Sequence, residues 1–534
     1  MNRKTLVLPG VICLLAPVLA ACGGSGSGSN GDDAIVVGTT DRFTASKEAP
    51  APLDPAFAYD VGTWNVLRQT VQTLMTLPDG GGDPLPEAAE KCGFTDTGNE
   101  RYACTLREDL KFANGDPVTA DDVKFSIDRA LRIKADSGVF ALLSTIDTVE
   151  TQGDREVIFH LKTADATFPF KLSTPVAGIV NPDDYDKNKL RDGFSVDGSG
   201  PYTLEAKVKD DEIVDAVFTK NPNYKGHLTV KNESVDLRFF DDADAMGTAL
   251  NKGDISVMTR TMSPAQIKKF QNATSTDIDL IEQPGLEIRY LGFNTNDPSV
   301  KAKAVRQAMA QVINRGKLVS EVYGDGADPL YSMVPATVTG HANSFFNKYG
   351  EPDAAKAKAL LSQANVTTPV KLTLHYTNDH YGPATKEEFE LLKEQLNGSG
   401  LFDVDIKGEK WATYSPNERE GKYEVFGMGW FPDFPDADNY LAPFLDKDNT
   451  IGSPYTNNEI RNTLIPESRR QADRLTASQS IEEIQNIVAE DVPLLPLWQG
   501  KQYVAARSDI TGAERTLNSS ATLQLWELGH GVGS

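Results

Sequence analysis

From residue 34 onward, runs of branched apolar residues alternate with stretches whose apolar positions recur every three to four residues. The first pattern predicts strands and the second helices. Residues 34–40 (AIVVGTT) give the first strand. Thr119-Ala120-Asp121-Asp122 has the form of a capping box and opens a helix with Val123, Ile127, Ala130 and Leu131 on one face. Strands follow at 156–161, 212–219, 234–240 and 288–293. A helix beginning near Asp297-Pro298 aligns Val300, Ala304, Ala308 and Val312, and Asp353 caps a short one ending at Leu360-Leu361. Next comes a βαβ pattern: an alternating strand at 370–376, a helix capped by Thr385 that carries Phe389, Leu392 and Leu396, and a strand at 402–407. A strand at 423–429 and a helix capped by Ser480, with Ile484 and Val488 behind it, complete the series.

The pattern is mixed α/β throughout, with no internal Gly/Pro-rich linker. At 534 residues the chain exceeds what one core usually serves, so two or three lobes are expected, packed together and interleaved in sequence. Apolar residues make up 40 % and charged residues 24 %, which excludes a disordered chain, a collagen-like repeat and a polytopic membrane protein. A net charge of −23 repels phosphate backbones and argues against a nucleic-acid partner.

The first thirty residues have a different character. Arg3 and Lys4 precede an apolar run at 5–20 that is too short for a membrane span and suits the core of a secretory signal. Leu19-Ala20-Ala21-Cys22 looks like a bacterial lipobox. That likeness implies a signal peptide at 1–21 and a lipidated Cys22 as the mature N-terminus. A Gly/Ser tether reaching to residue 33 follows, flexible enough to hold an anchored globule clear of the bilayer. The expected location is the extracytoplasmic face of the cell membrane. Cys92 and Cys104, twelve apart in an oxidising compartment, are expected to form a disulfide, worth roughly 3 kcal/mol in the chain-entropy model.

Hydrolase, zinc-protease, P-loop and dinucleotide motifs are absent from the sequence, and nothing in it calls for an enzyme, a metal or a cofactor. Of the six histidines only His375 and His380 are near one another, at a spacing that does not favour metal. Asp446-Lys447-Asp448-Asn449-Thr450 has the opening of a calcium loop but lacks its later glycine and glutamate, and reads as a solvated turn.

Residues 106–131 (LREDLKFANGDPVTADDVKFSIDRAL) strongly resemble the signature of the peptide/nickel class, family 5, of extracellular solute-binding proteins that serve ABC importers. Supporting phrases arrive in family order: 198–202 (GSGPY), 221–224 (NPNY), 290–295 (YLGFNT), 305–308 (VRQA), 430–433 (WFPD) and 492–498 (VPLLPLW). The resemblance implies a two-lobed clamp like the class II periplasmic binding proteins, with an enlarged N-terminal lobe. Lobe one would comprise 34–285 plus 496–534 and lobe two 286–495, joined by two crossover strands. Such a hinge closes on ligand, and an ABC permease recognises the closed form. The expected molecule is a monomer.

In peptide receptors of this kind the aspartate of W-x-x-D holds the ligand's α-amino group, and here that position is Asp433. It lies just past the carboxyl end of a predicted strand, where open α/β sheets bind ligands. Trp430 and Phe434 in the same run are expected to line the pocket, with Tyr59 and Trp64 facing them from the other lobe. Asp436 and Asp438 read as turn and capping residues, and Arg289 and Arg306 as structural. A peptide ligand is the leading expectation. The same scaffold binding a metal chelate, oligosaccharide or other solute is the alternative. A secreted hydrolase is a remote third.

Overall fold

Among the described residues the strand and helix patterns fold into one large mixed sheet flanked by helices, a four-stranded antiparallel sheet and two short strand pairs. The structure, a computed structural model, describes residues 34–531 except 48, 79–80, 260–261, 274–276, 448 and 450. The expected signal segment, Cys22 and the Gly/Ser tether therefore lie outside the described residues. No helix among the described residues is long and apolar enough to cross a membrane.

Across the large sheet the strand order is Phe402–Glu409, Val370–Thr377, Val425–Trp430, Ile278–Phe293, Leu494–Arg507, Val257–Thr259, Ile35–Thr39, Ser234–Phe239, Glu212–Lys220 and Tyr202–Lys209. Ala327–Pro329 also pairs with Leu494–Arg507. The βαβ unit is present: Val370–Thr377 and Phe402–Glu409 are parallel, with helix Thr385–Gly398 between them. Helix Ala120–Ile133 begins where the capping box places it, with Thr119 N–H donating to Asp122 Oδ2 at 2.7 Å.

Four elements differ from the sequence expectation. Asp297 does not start a helix; its carboxylate accepts from Ser299 N and Oγ in a local turn, and the helix begins at Lys303. Thr385 lies inside its helix rather than capping it, because its hydroxyl donates back to Gly382 O. Ser480 likewise falls in the first turn of Ser478–Asp491. The strand expected at 288–293 is far longer, running from Ile278, because its polar half is paired with Leu494–Arg507.

Buried apolar side chains gather in two large clusters. One draws on residues between Leu286 and Trp498. The other draws on residues from Ile35 to Val257 together with Val504 to Leu528. Ile278–Phe293 and Leu494–Arg507 run antiparallel between the two, and their register shifts between Pro284 and Ile288. Gly285 sits in that irregularity, so close to the neighbouring strand that a Cβ there would lie 2.3 Å from Gly500 O. In the four-stranded sheet, Cys92 and Cys104 are cross-strand partners joined by a disulfide.

Candidate functional site

Strand Val425–Trp430 ends where Pro432 and Pro435, which have no N–H, cannot continue a ladder. The chain then turns into helix Asp438–Leu445. Asn439 in the first turn of that helix fixes the bend. Its Oδ1 accepts from Asp433 N at 2.8 Å and from Trp430 Nε1 at 3.3 Å, while its Nδ2 donates to Asp433 Oδ2 at 2.9 Å. Asp433 is thus held by backbone and side chain at once, and it is buried.

Neighbouring carboxylates are committed elsewhere. Asp436 forms a two-pronged pair with Arg474 at 2.7 and 2.9 Å. Asp438 does the same with Arg469, which also reaches Asp446. Both aspartates therefore anchor the turn through arginines; Asp438 is the first residue of its helix rather than its cap, which lies at Ala437.

From the N-terminal part of the chain, Asp60 caps helix Val61–Thr70 by accepting from Thr63 N at 2.9 Å. The preceding residue, Tyr59, points its hydroxyl at Asp433 Oδ2, 3.4 Å away. Trp64 packs beside Tyr59 with the rings tilted and their centroids 5.7 Å apart, and it donates its indole N–H to Ala58 O at 2.8 Å. Phe434 is buried against Phe170, with the rings stacked at 5.8 Å. Trp430 is half-buried and meets Phe444 edge-on. Tyr59 and Asp433 thus touch, Trp64 backs Tyr59, and Trp430 and Phe434 flank the carboxylate within its own turn.

Electrostatically the site is tense. Burial pushes the Asp433 carboxyl up to about 6, although Asn439, Tyr59, Arg68 and Lys171 all favour its ionised form. Lys171 is itself paired with Asp165 at 2.6 Å. Burial also raises the Tyr59 hydroxyl, reinforced by the Asp433 charge. Both protein side chains that bond the carboxylate do so at Oδ2, and among the described residues nothing donates to Oδ1. A buried carboxylate with one oxygen unserved is a receptor for a cation or a hydrogen-bond donor.

Asn439 and Arg68 were not singled out in the sequence. Arg68 had a signal: it follows Trp64 by four residues on one helix, hence on the same face, and its guanidinium lies 5.6 Å from the indole centroid. Asn439 had none, because its role depends on the turn.

Elsewhere, His380 stacks on Trp411 at 3.8 Å and His375 stacks on Tyr423 at 4.1 Å. Among the described residues there is no group of three or more metal-ligating side chains. Arg306 donates to the carbonyls of Val300, Lys301, Asp491 and Val492. Arg289 pairs with Glu287 and lies over the Tyr381 ring at 4.0 Å.

Comparison with known proteins matches residues 83–452 to the model of the bacterial extracellular solute-binding proteins, family 5. The dipeptide-binding protein DppE of Bacillus subtilis is 22 % identical over 516 residues, covering 92 % of each chain. A dipeptide-binding protein of Pseudoalteromonas sp. SM9913, solved with Met-Leu, superposes with a TM-score of 0.76 at 21 % identity, covering 93 % of this chain and all of the other. AgaA of A. tumefaciens R10, solved with agropinic acid, superposes with a TM-score of 0.75 at 20 % identity, covering 92 % and 96 %. The fold they share with this chain is the two-lobed α/β architecture of periplasmic binding proteins. The chain belongs to the bacterial extracellular solute-binding proteins of family 5, which are receptors and not enzymes.

Proposed function

We propose that this chain is a lipid-anchored receptor that captures di- or oligopeptides between two lobes and delivers them to an ABC transporter permease. The lobes in this reading are 34–285 with 496–534, and 286–495. Two separate apolar clusters linked by a pair of crossing strands support that division. The supporting observation for peptide capture is Asp433, a buried carboxylate with Oδ1 unserved, met by Tyr59 from the other apolar cluster. An ammonium entering there satisfies the carboxylate, and its contacts to both lobes favour the closed state. DppE and the Pseudoalteromonas protein are named for dipeptides, in keeping with this ligand class. Anchoring would come from lipid on Cys22, and the receptor would work as a monomer.

Calorimetric titration of the purified receptor with a mixed peptide pool, and with the same pool N-acetylated, tests the reading. Binding of the free pool and loss on acetylation are expected; equal affinity for both pools refutes amine capture. The second reading, a non-peptide solute on the same scaffold, is favoured by the likeness to AgaA, whose ligand is agropinic acid. Mass spectrometry of small molecules co-purified with the receptor separates the two: peptide supports the first, a non-peptide solute the second.

A further inference from the structure

Strands Ala89–Phe94 and Arg101–Leu106 form a hairpin braced by the Cys92–Cys104 disulfide. The Asp96 carboxylate shapes the tip by accepting from the backbone N–H groups of Glu100 and Arg101 at 3.2 and 3.1 Å. Asn99 in that tip has φ +56°, a left-handed conformation that asparagine tolerates better than most side chains, and it is 4 % exposed. Its carbonyl accepts from Asp165 N at 3.1 Å, which ties the tip to the loop that holds the Asp165–Lys171 ion pair.

The Asn99 side chain reaches across to the other cored part of the molecule. Tyr102 in the hairpin, and Leu161, whose N–H bonds Glu100 O, belong to the apolar cluster built from the two chain ends. Helix Ile465–Arg469 is anchored by Ile465 in the cluster between Leu286 and Trp498. At the C-terminal end of a helix the last carbonyls have no partner inside it. Here two of them are met from across the seam: Arg470 O accepts from Asn99 Nδ2 at 2.9 Å, and Arg469 O accepts from Ala166 N at 2.8 Å. Phe170 and Phe434 stack across the same seam. Charge acts there too: burial works to raise the Asp165 carboxyl, but Lys171 and Arg469 hold it low. The Arg469 guanidinium grips Asp438 with two prongs and so ties this helix to the turn that carries Asp433.

We infer that Asn99 and Ala166 form a clasp with the Arg470 and Arg469 carbonyls that holds the two lobes together without ligand, and that Asn99 is a positioning residue that slows ligand release. The inference rests on the two-lobe division proposed above and not on the identity of the ligand. When the lobes part, both donors and both carbonyls return to water. Each hydrogen bond then contributes only the difference between its protein and water partners, enough to shift the ratio of closed to open receptor by roughly two- to tenfold. Neither clasp bond uses Asp433, Asn439 or Tyr59. Its effect on release is therefore the same whichever ligand Asp433 holds.

Small-angle X-ray scattering of the ligand-stripped receptor, unaltered and as Asn99→Gly, tests the clasp. The substitution keeps the left-handed backbone and deletes only the amide. A larger radius of gyration in the variant, with an unchanged circular dichroism spectrum, is expected; an equal radius overturns the clasp. Should Asn99→Gly not fold, Asn99→Asp puts an acceptor where the donor stood and is expected to open the receptor in the same way. Stopped-flow displacement of bound trialanine should show release two- to tenfold faster in the variant, with the affinity penalty for N-acetylating trialanine unchanged. An unaltered release rate overturns the positioning role, and so does a changed acetylation penalty, which would put Asn99 in the ligand site itself. Failure of trialanine to bind the unaltered receptor counts against the peptide reading alone, because the scattering comparison decides the clasp without any ligand.

Discussion

Tyr59 donates its hydroxyl to Asp433 Oδ2 at 3.4 Å, although 374 positions separate them in sequence. Tyr59 packs on the apolar cluster built from the two chain ends, and Asp433 follows a strand that packs on the other. That hydrogen bond joins two separately cored parts of the molecule at a carboxylate whose charge is disfavoured by burial.

Asp433→Asn keeps the shape of the side chain and removes its charge. If Asp433 pairs with a ligand ammonium, losing one member of that buried pair costs about 3–5 kcal/mol, or about 10²–10³-fold in affinity. Calorimetry should show that loss with the melting temperature held or raised, since an ionised carboxylate that burial disfavours is gone. Unchanged affinity would place the ligand elsewhere.

The raised Asp433 carboxyl also sets a pH dependence. Its ordinary value is 3.8 and in the folded receptor it stands at about 6. Below about 6 the free site holds a proton that must leave before an ammonium can pair, so affinity should fall towards tenfold per pH unit. Above about 7 it should be flat. Titration in two buffers of different ionisation enthalpy should detect proton release at pH 5.5, and Asp433→Asn should abolish both the slope and the release.

Asp165 behaves in the opposite sense. Burial acts to raise it, but Lys171 and Arg469 prevail and hold it at about 2. A depressed carboxyl contributes stability above its unfolded value near 4, and that contribution fades as pH falls towards 2. Asp165→Asn is expected to cost about 3–5 kcal/mol at neutral pH, since it leaves Lys171 buried and unpaired. Denaturant titrations from pH 7 to pH 2.5 should show the gap between variant and unaltered protein narrowing below pH 4.

The crossing strands predict an asymmetry between two glycines. A Cβ on Gly285 would meet Gly500 O at 2.3 Å, whereas one on Gly500 meets nothing nearer than 3.5 Å. Gly285→Ala should therefore be destabilising by about 1–3 kcal/mol through overpacking, and Gly500→Ala nearly neutral. Melting curves of the two variants decide this, and equal effects would contradict the close approach.

How far the sequence carried these conclusions varies with range. Local signals placed the βαβ unit at Val370–Glu409 and the helix behind Thr119, because alternation and a capping box act within a few residues. The W-x-x-D phrase drew attention to Asp433 through the family resemblance, and Tyr59 was expected only to line the opposing lobe; that the two touch is a product of the fold. The polar half of Ile278–Phe293 was invisible as strand, since its pairing partner lies more than 200 residues later. Asn439 was equally hidden: its three hydrogen bonds exist only after the prolines have turned the chain. Arg68 could have been read from its helical spacing to Trp64.

The central claim, that the Asp433 charge grips the ligand's amine, is tested most directly by a thermodynamic cycle. A free-amine dipeptide and its N-acetyl form are titrated against the unaltered receptor and against Asp433→Asn. The account predicts that acetylation costs about 10²-fold or more in the unaltered receptor and only a few-fold in the variant, a coupling of several kcal/mol. An acetylation penalty of the same size in both proteins would contradict it.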